Sequence, residues 1–244
     1  MIKNKLIVAL DVDTADEALR LVNMLRGSVG MFKVGSRLFT AAGPGLVSEI
    51  VNSGARVFLD LKYHDIPNTV AAAAVEGARL GVSILNVHAA GGSEMMRRAA
   101  QSVAEFADAA GCARPLVIAV TVLTSANEIS LAEAGWNTNP KDLVRRLSLL
   151  AEASGMDGVV ASPHEITIVR STIKKPGFIV VTPGIRPTGS ASGDQSRVQT
   201  PREAIIAGAD YLVVGRPILE ANDPVRAAQQ ILDEMEIRSA NRAH

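Results

Sequence analysis

The chain has 244 residues, 48% of them hydrophobic, and its 25 Lys and Arg balance 25 Asp and Glu to a formal net charge of zero. That length and apolar content suffice for a full core, while the charge balance speaks against nucleic-acid binding, which is driven by phosphate neutralisation. Aromatic residues at 3% argue against a base-stacking surface, and a single cysteine, Cys112, excludes an intrachain disulfide and a thiolate metal cluster.

The first predicted strand, LIVALD (6–11), ends on Asp11. Its apolar run is too short for a signal peptide, and no later segment approaches about 18 uninterrupted apolar residues. The expectation is a cytoplasmic chain without a membrane span. ADEALRLVNMLRG follows with helical spacing and a terminal glycine. MFKVG (31–35) is the second strand, with Lys33 on the face shared by Met31 and Gly35. RVFLDLK (56–62) is the third, and PNTVAAAAVEGARLG reads as the helix after it. SILNVHA (83–89) carries His88 near its end, a residue whose ordinary role would be a satisfied core histidine. Cys112, in AAGCARP, is read as an inert thiol ahead of the next strand. LVIAVTV (116–122) precedes Thr124 and Ser125, and PKDLVRRLSLLAEASG is the next clear helix. DGVVAS (157–162), FIVVTPG (178–184) and DYLVVG (210–215) complete eight strands.

Eight strands alternating with helices predict a parallel sheet, best closed as one (β/α)8 barrel spanning 1–244. An open doubly wound sheet is the alternative, but the G-x-G-x-x-G turn expected after an early strand is missing. The polar, Gly/Ser-rich stretch RPTGSASGDQSRVQTP (186–201) follows the seventh strand, where a mobile active-site loop would sit.

The third strand is the unusual one. Alternation puts Val57, Leu59 and Leu61 on one face and Phe58, Asp60 and Lys62 on the other. The apolar face suits the helix layer, which aims Asp60 and Lys62 into the barrel near its C-terminal mouth, with Asp65 just beyond. Buried charges are costly unless paired. Two unit charges about 4 Å apart interact by roughly 4 kcal/mol at an effective dielectric near 20. An ammonium among carboxylates is held in its charged form, so Lys62 reads as a cationic proton donor rather than a Schiff-base amine. Such an array suits a reaction that develops negative charge on carbon and then protonates it. Asp11, Lys33, His88, Thr124 and Ser125 fall at the same mouth. His64, His164 and His244 offer no zinc spacing, and no metal ligand set is read.

At the other end of the barrel order, VTPGIRP follows strand seven and VVGRPI closes strand eight, where barrels commonly bind phosphate. Gly215 admits backbone N–H groups to an anion, and Arg186 and Arg216 can each present a two-pronged guanidinium.

The ordered set ALDVDT, FKVGSRLF, DLKYHDIPNTV, NVHAAGG, TVLTS, VTPGIRP, GDQSR and VVGRP resembles the bacterial-type orotidine 5'-phosphate decarboxylase family over nearly the whole chain. The resemblance implies conversion of orotidine 5'-phosphate to uridine 5'-phosphate and CO2 in pyrimidine biosynthesis, without metal or organic cofactor. It implies that Asp11 binds the ribose, that Lys33 joins the charged network, that Asp60 faces the substrate carboxylate and that Lys62 protonates C6. Substrate contacts are further implied across Leu61, Tyr63, His64, Asp65, Ile66, Pro67, Asn68 and Thr69, with Asp65, Ile66 and Thr69 reaching the partner's site in a homodimer. Thr124 would lie beside the pyrimidine edge. Arg186, Gln195, Gly215 and Arg216 would hold the phosphate, Gln195 from the closing loop. Two rival readings remain. Hexulose-phosphate synthases and keto-gulonate-phosphate decarboxylases resemble the chain around DLK..D but carry an acidic metal ligand where it has Lys33. A non-catalytic barrel that senses a phosphorylated metabolite would explain the arginines but not the Asp60, Lys62 and Asp65 set.

Overall fold

Short runs of β-branched and aliphatic residues form the strands, and each is followed by chain that returns to the same edge. In the computed structural model, described for residues 1–187 and 199–236, these are β1 (Leu6–Ala9), β2 (Met31–Gly35), β3 (Val57–Tyr63), β4 (Ile84–His88), β5 (Leu116–Val120), β6 (Gly158–Val160), β7 (Ile179–Thr182) and β8 (Tyr211–Val214). Each is parallel to the next, and β1 pairs with β8, so the sheet closes as an eight-stranded barrel with helices between its strands. The open-sheet alternative is thereby excluded.

Alternation along the strands sorts the apolar side chains into two layers. Ile7, Ala9, Met31, Phe58, Ile84, Ile118, Val181 and Val213 fill the barrel interior. Leu6, Val8, Phe32, Val34, Val57, Leu59, Leu85 and Val87 face outward, against helix residues such as Leu25, Ile50, Met95, Val103, Leu147 and Ile231. Helix entry is fixed chemically. The Thr14 hydroxyl accepts from Glu17 N–H ahead of helix Ala15–Leu25, while Asn139 caps helix Pro140–Ala153, whose proline opens the first turn.

The N-terminal ends of the strands are clamped. Asp157, just before β6, accepts the Val117 N–H of β5 at 2.8 Å and pairs with Arg114. Asp210, just before β8, accepts the Val180 N–H of β7 at 2.7 Å and pairs with Arg170, which also donates to Gly208 O and Phe178 O. Barrels concentrate stability at this face and chemistry at the other.

β6 opens on Gly158, where strand packing leaves no room for a side chain: a β-carbon there would lie 2.2 Å from the Ile179 carbonyl oxygen. Gly158→Ala is expected to lower stability by about 1–3 kcal/mol, because the β6–β7 pair must shift to admit the methyl group. A thermal or urea melt measures this.

Candidate active site

Several strands of β-registry deliver charged groups to one spot. Ala9 of β1 lies beside Lys33 of β2, and Gly35 of β2 beside Asp60 of β3. Lys33 Nζ donates to Asp11 Oδ1 at 3.1 Å and stands 3.4 Å from Asp60 Oδ2. Lys62 Nζ donates to Asp60 Oδ1 at 2.8 Å. The order is therefore carboxylate, ammonium, carboxylate, ammonium, with Asp60 held between both lysines. Asp60 is 8% exposed, so its charge depends on those partners. The glycines at two strand ends keep the array open. A β-carbon at Gly35 would lie 3.1 Å from Lys33 Nζ, and one at Gly215 would lie 3.4 Å from Asp11 Oδ2, which places the end of β8 against the same network.

β3 reaches this spot through an irregularity. Its register with β4 runs Phe58 to Ile84 and Leu59 to Leu85, then resumes at Tyr63 with Val87. Asp60, Leu61 and Lys62 thus stand opposite Asn86 alone. Among the described residues Lys62 is the one non-glycine residue with positive φ, at +54°. That left-handed conformation costs an L-residue about 1–2 kcal/mol. The Lys62 N–H, turned from the ladder, donates to Asn86 Oδ1 at 2.8 Å, and Asn86 Nδ2 donates to Asp60 Oδ1 at 2.6 Å.

A cavity of about 180 Å³ opens beside the charges. Lys33, Asp60 and Lys62 form its polar wall; Val120, Val122, Leu123, Val160, Ala161 and Pro183 form an apolar wall, with Thr124 and Ser162 at the edge. Thr124, one of the two hydroxyl residues after the fifth strand, is among the lining residues. Asn86 and Ser162 were not singled out from sequence. Asn86 shares the inward face of β4 with Ile84 and His88, so an amide at an inward position of an apolar strand was the available signal. Ser162 is 1% exposed and its N–H donates to Glu165 at 3.1 Å, a capping pattern that hid it among helix-start residues.

The remaining expected residues are distributed as follows. Leu61 and Tyr63 pack on the outer apolar layer, where burial pushes the Tyr63 phenol up from its ordinary pKa. His64 stacks on His88 at 5.5 Å between ring centres. Burial first, then the neighbouring His64 and Lys62, holds His88 below the usual imidazole range. Asp65, Ile66, Asn68 and Thr69 are exposed, and Pro67 half-buried. Asp65 accepts the Ile66 N–H at 2.6 Å, Ile66 presents an apolar side chain that is 66% exposed, and Asn68 meets Arg98. Within one chain, then, Asp65 stands apart from the four-charge array. Arg186 is 8% exposed, and its N–H donates to Gln199 O at 3.1 Å beside an Ile185–Gln199 bridge. Arg216 opens the short helix after β8. Gln195, His244 and most of the 186–201 loop lie outside the described residues. Among the described residues, no group of three or more His, Cys, Asp or Glu side chains is disposed to hold a metal ion, and no helix is long and apolar enough to cross a membrane.

Residues 4–231 match the Orotidine 5'-phosphate decarboxylase / HUMPS family. The chain is 52% identical over 233 residues to orotidine 5'-phosphate decarboxylase of Syntrophotalea carbinolica, covering 96% of this chain and 95% of that protein. It is 53% identical over 236 residues to the Moorella thermoacetica protein of the same name, covering 96% and 93%. Among solved structures, orotidine 5'-phosphate decarboxylase from Lactobacillus acidophilus matches with a TM-score of 0.83 at 36% identity, covering 95% of this chain and 98% of that one.

Proposed function

The chain belongs to the Orotidine 5'-phosphate decarboxylase / HUMPS family, and on that premise we propose that it converts orotidine 5'-phosphate to uridine 5'-phosphate and CO2, a step of pyrimidine biosynthesis. The observation that carries this reading is the Asp11–Lys33–Asp60–Lys62 alternation, whose Lys33, Asp60 and Lys62 form one wall of the cavity. In the reaction the C6–carboxylate bond breaks with its electron pair left on C6. The Lys62 ammonium faces that developing charge and delivers a proton to C6; the neutral amine then regains a proton from solvent. Asp60 and Lys33 are already paired and fixed, so little reorganisation accompanies the charge movement. The apolar wall receives the ring face, and Thr124 meets its edge.

The same reading gives Asp11 to the ribose and Arg186, Gly215 and Arg216, with Gln195, to the phosphate. Binding energy gathered at the phosphate, remote from the reacting carbon, orients the base at Lys62. Asp65, Ile66 and Thr69 act in the site of a second copy of the chain; their exposure here, with an apolar Ile66 among them, supports a shared homodimeric site. A cytoplasmic setting belongs to the same reading.

The metal-dependent enediolate route of related barrels is disfavoured by Lys33. Its ammonium lies 3.4 Å from Asp60, so a divalent cation on that carboxylate would face a like charge. Adding the purified protein to orotidine 5'-phosphate is expected to change its ultraviolet absorbance as the carboxyl leaves, equally with and without EDTA. An unchanged spectrum would leave a mere binder. Activity lost to EDTA and restored by magnesium would favour the metal-dependent rival.

A further inference from the structure

We propose that Asn86 is the positioning residue of the site: its buried carboxamide fixes both the backbone of Lys62 and the carboxylate of Asp60. This inference rests on the reading of Lys62 as proton donor. Three features support it. Asn86 is fully buried on β4, where an amide is expensive unless both of its ends are satisfied. Both ends are satisfied by the charged strand, since Oδ1 accepts the Lys62 N–H and Nδ2 donates to Asp60 Oδ1. The residue so held, Lys62, is in a left-handed conformation that its own side chain disfavours, so something outside β3 must maintain it. Asn86 also stands alone opposite the three residues where β3 and β4 lose register. One carboxamide therefore replaces a missing ladder bond and directs Asp60 Oδ1, the oxygen that Lys62 Nζ also grips.

The carboxamide lies behind Asp60 rather than among the residues lining the cavity. Its loss is therefore expected to reduce kcat and spare KM. Misplacing a reacting group by about 1 Å is commonly worth about 10²-fold in rate, and Asn86→Ala is expected to lose about that much kcat with KM changed less than about threefold. Asn86→Asp gives a sharper readout. A neutral carboxyl at 86 still accepts from the Lys62 N–H and donates to Asp60, whereas an ionised one repels Asp60 and offers no donor. The ratio of Asn86→Asp to wild-type kcat should rise at least tenfold on going from about pH 8 to about pH 5.5. A purely structural role would lower the apparent kcat with KM unchanged, in step with the folded fraction followed by circular dichroism; the loss would vanish once kcat is normalised to that fraction, and it would not give this pH-dependent rescue.

Both variants should be assayed beside Lys62→Ala. Should Asn86→Ala keep kcat within about threefold of wild type, or should Asn86→Asp show a flat ratio across pH, the positioning role is overturned. If Asn86→Ala fails to fold, the Asn86→Asp profile decides alone. If instead Lys62→Ala itself remains active, the underlying assignment of the proton donor has failed, and that result is separate from any behaviour of Asn86.

Discussion

Lys62→Ala is expected to lower kcat for orotidine 5'-phosphate by about 10⁴-fold or more while the fold survives. Two contributions disappear together: the proton that ends the reaction, and the ammonium facing the developing carbanion. General acid catalysis alone is commonly worth about 10²–10⁴-fold, and a preorganised charge at the reacting atom adds about 10²–10³-fold. Stability should change little, by about 1 kcal/mol, because Asp60 keeps Lys33 and the Asn86 amide as partners and is not left bare. The decisive pair of measurements is kcat by ultraviolet absorbance and a thermal melt of the same preparation. Retention of more than about a tenth of wild-type kcat would remove Lys62 from the chemistry.

Mixing two inactive variants is expected to restore activity. Asp65 lies outside the four-charge array of its own chain, bonded only to the neighbouring Ile66 N–H among the hydrogen bonds described for it. If it completes the array of a second copy, Asp65→Ala should be nearly as inactive as Lys62→Ala. A heterodimer of the two then holds one site with both defects and one site with neither. Random reassortment gives half heterodimers, so about a quarter of wild-type activity should return on mixing, after partial unfolding and refolding to exchange subunits. No return of activity despite exchanged subunits, or an Asp65→Ala protein with wild-type kcat, would confine the site to one chain.

The barrel was readable from eight aliphatic runs at regular spacing, because inward and outward layers both demand apolar residues and little else does. Lys33, Asp60 and Lys62 were readable for the opposite reason: charge at inward positions of such strands has no packing explanation. The observed strands stop short of several expected ends. β1 ends at Ala9 rather than residue 11, and β8 at Val214 rather than 215. Asp11 and Gly215 therefore sit in loops, where they can approach each other. Asn86 escaped notice because its partners are a backbone N–H and a carboxylate from another strand, contacts created only by the loss of register in β3. Strict alternation assumes a regular strand and cannot foresee a positive φ at Lys62. The exposure of His64, Asp65, Ile66, Asn68 and Thr69 was equally hidden, since nothing in DLKYHDIPNT separates a loop turned to solvent from one turned to the cavity.

The irregularity in β3 has a parity. Two more residues are threaded through β3 than through β4 between the pairs Leu59–Leu85 and Tyr63–Val87. An even excess leaves the in–out alternation unbroken, so Tyr63 and Val87 both still face the helices while two charged side chains in succession, at 60 and 62, look inward. Removing a single residue between 60 and 62 would make the excess odd. The phenol would then be driven into the barrel and the amine out beneath the helices, inverting the strand's tip rather than merely shortening it.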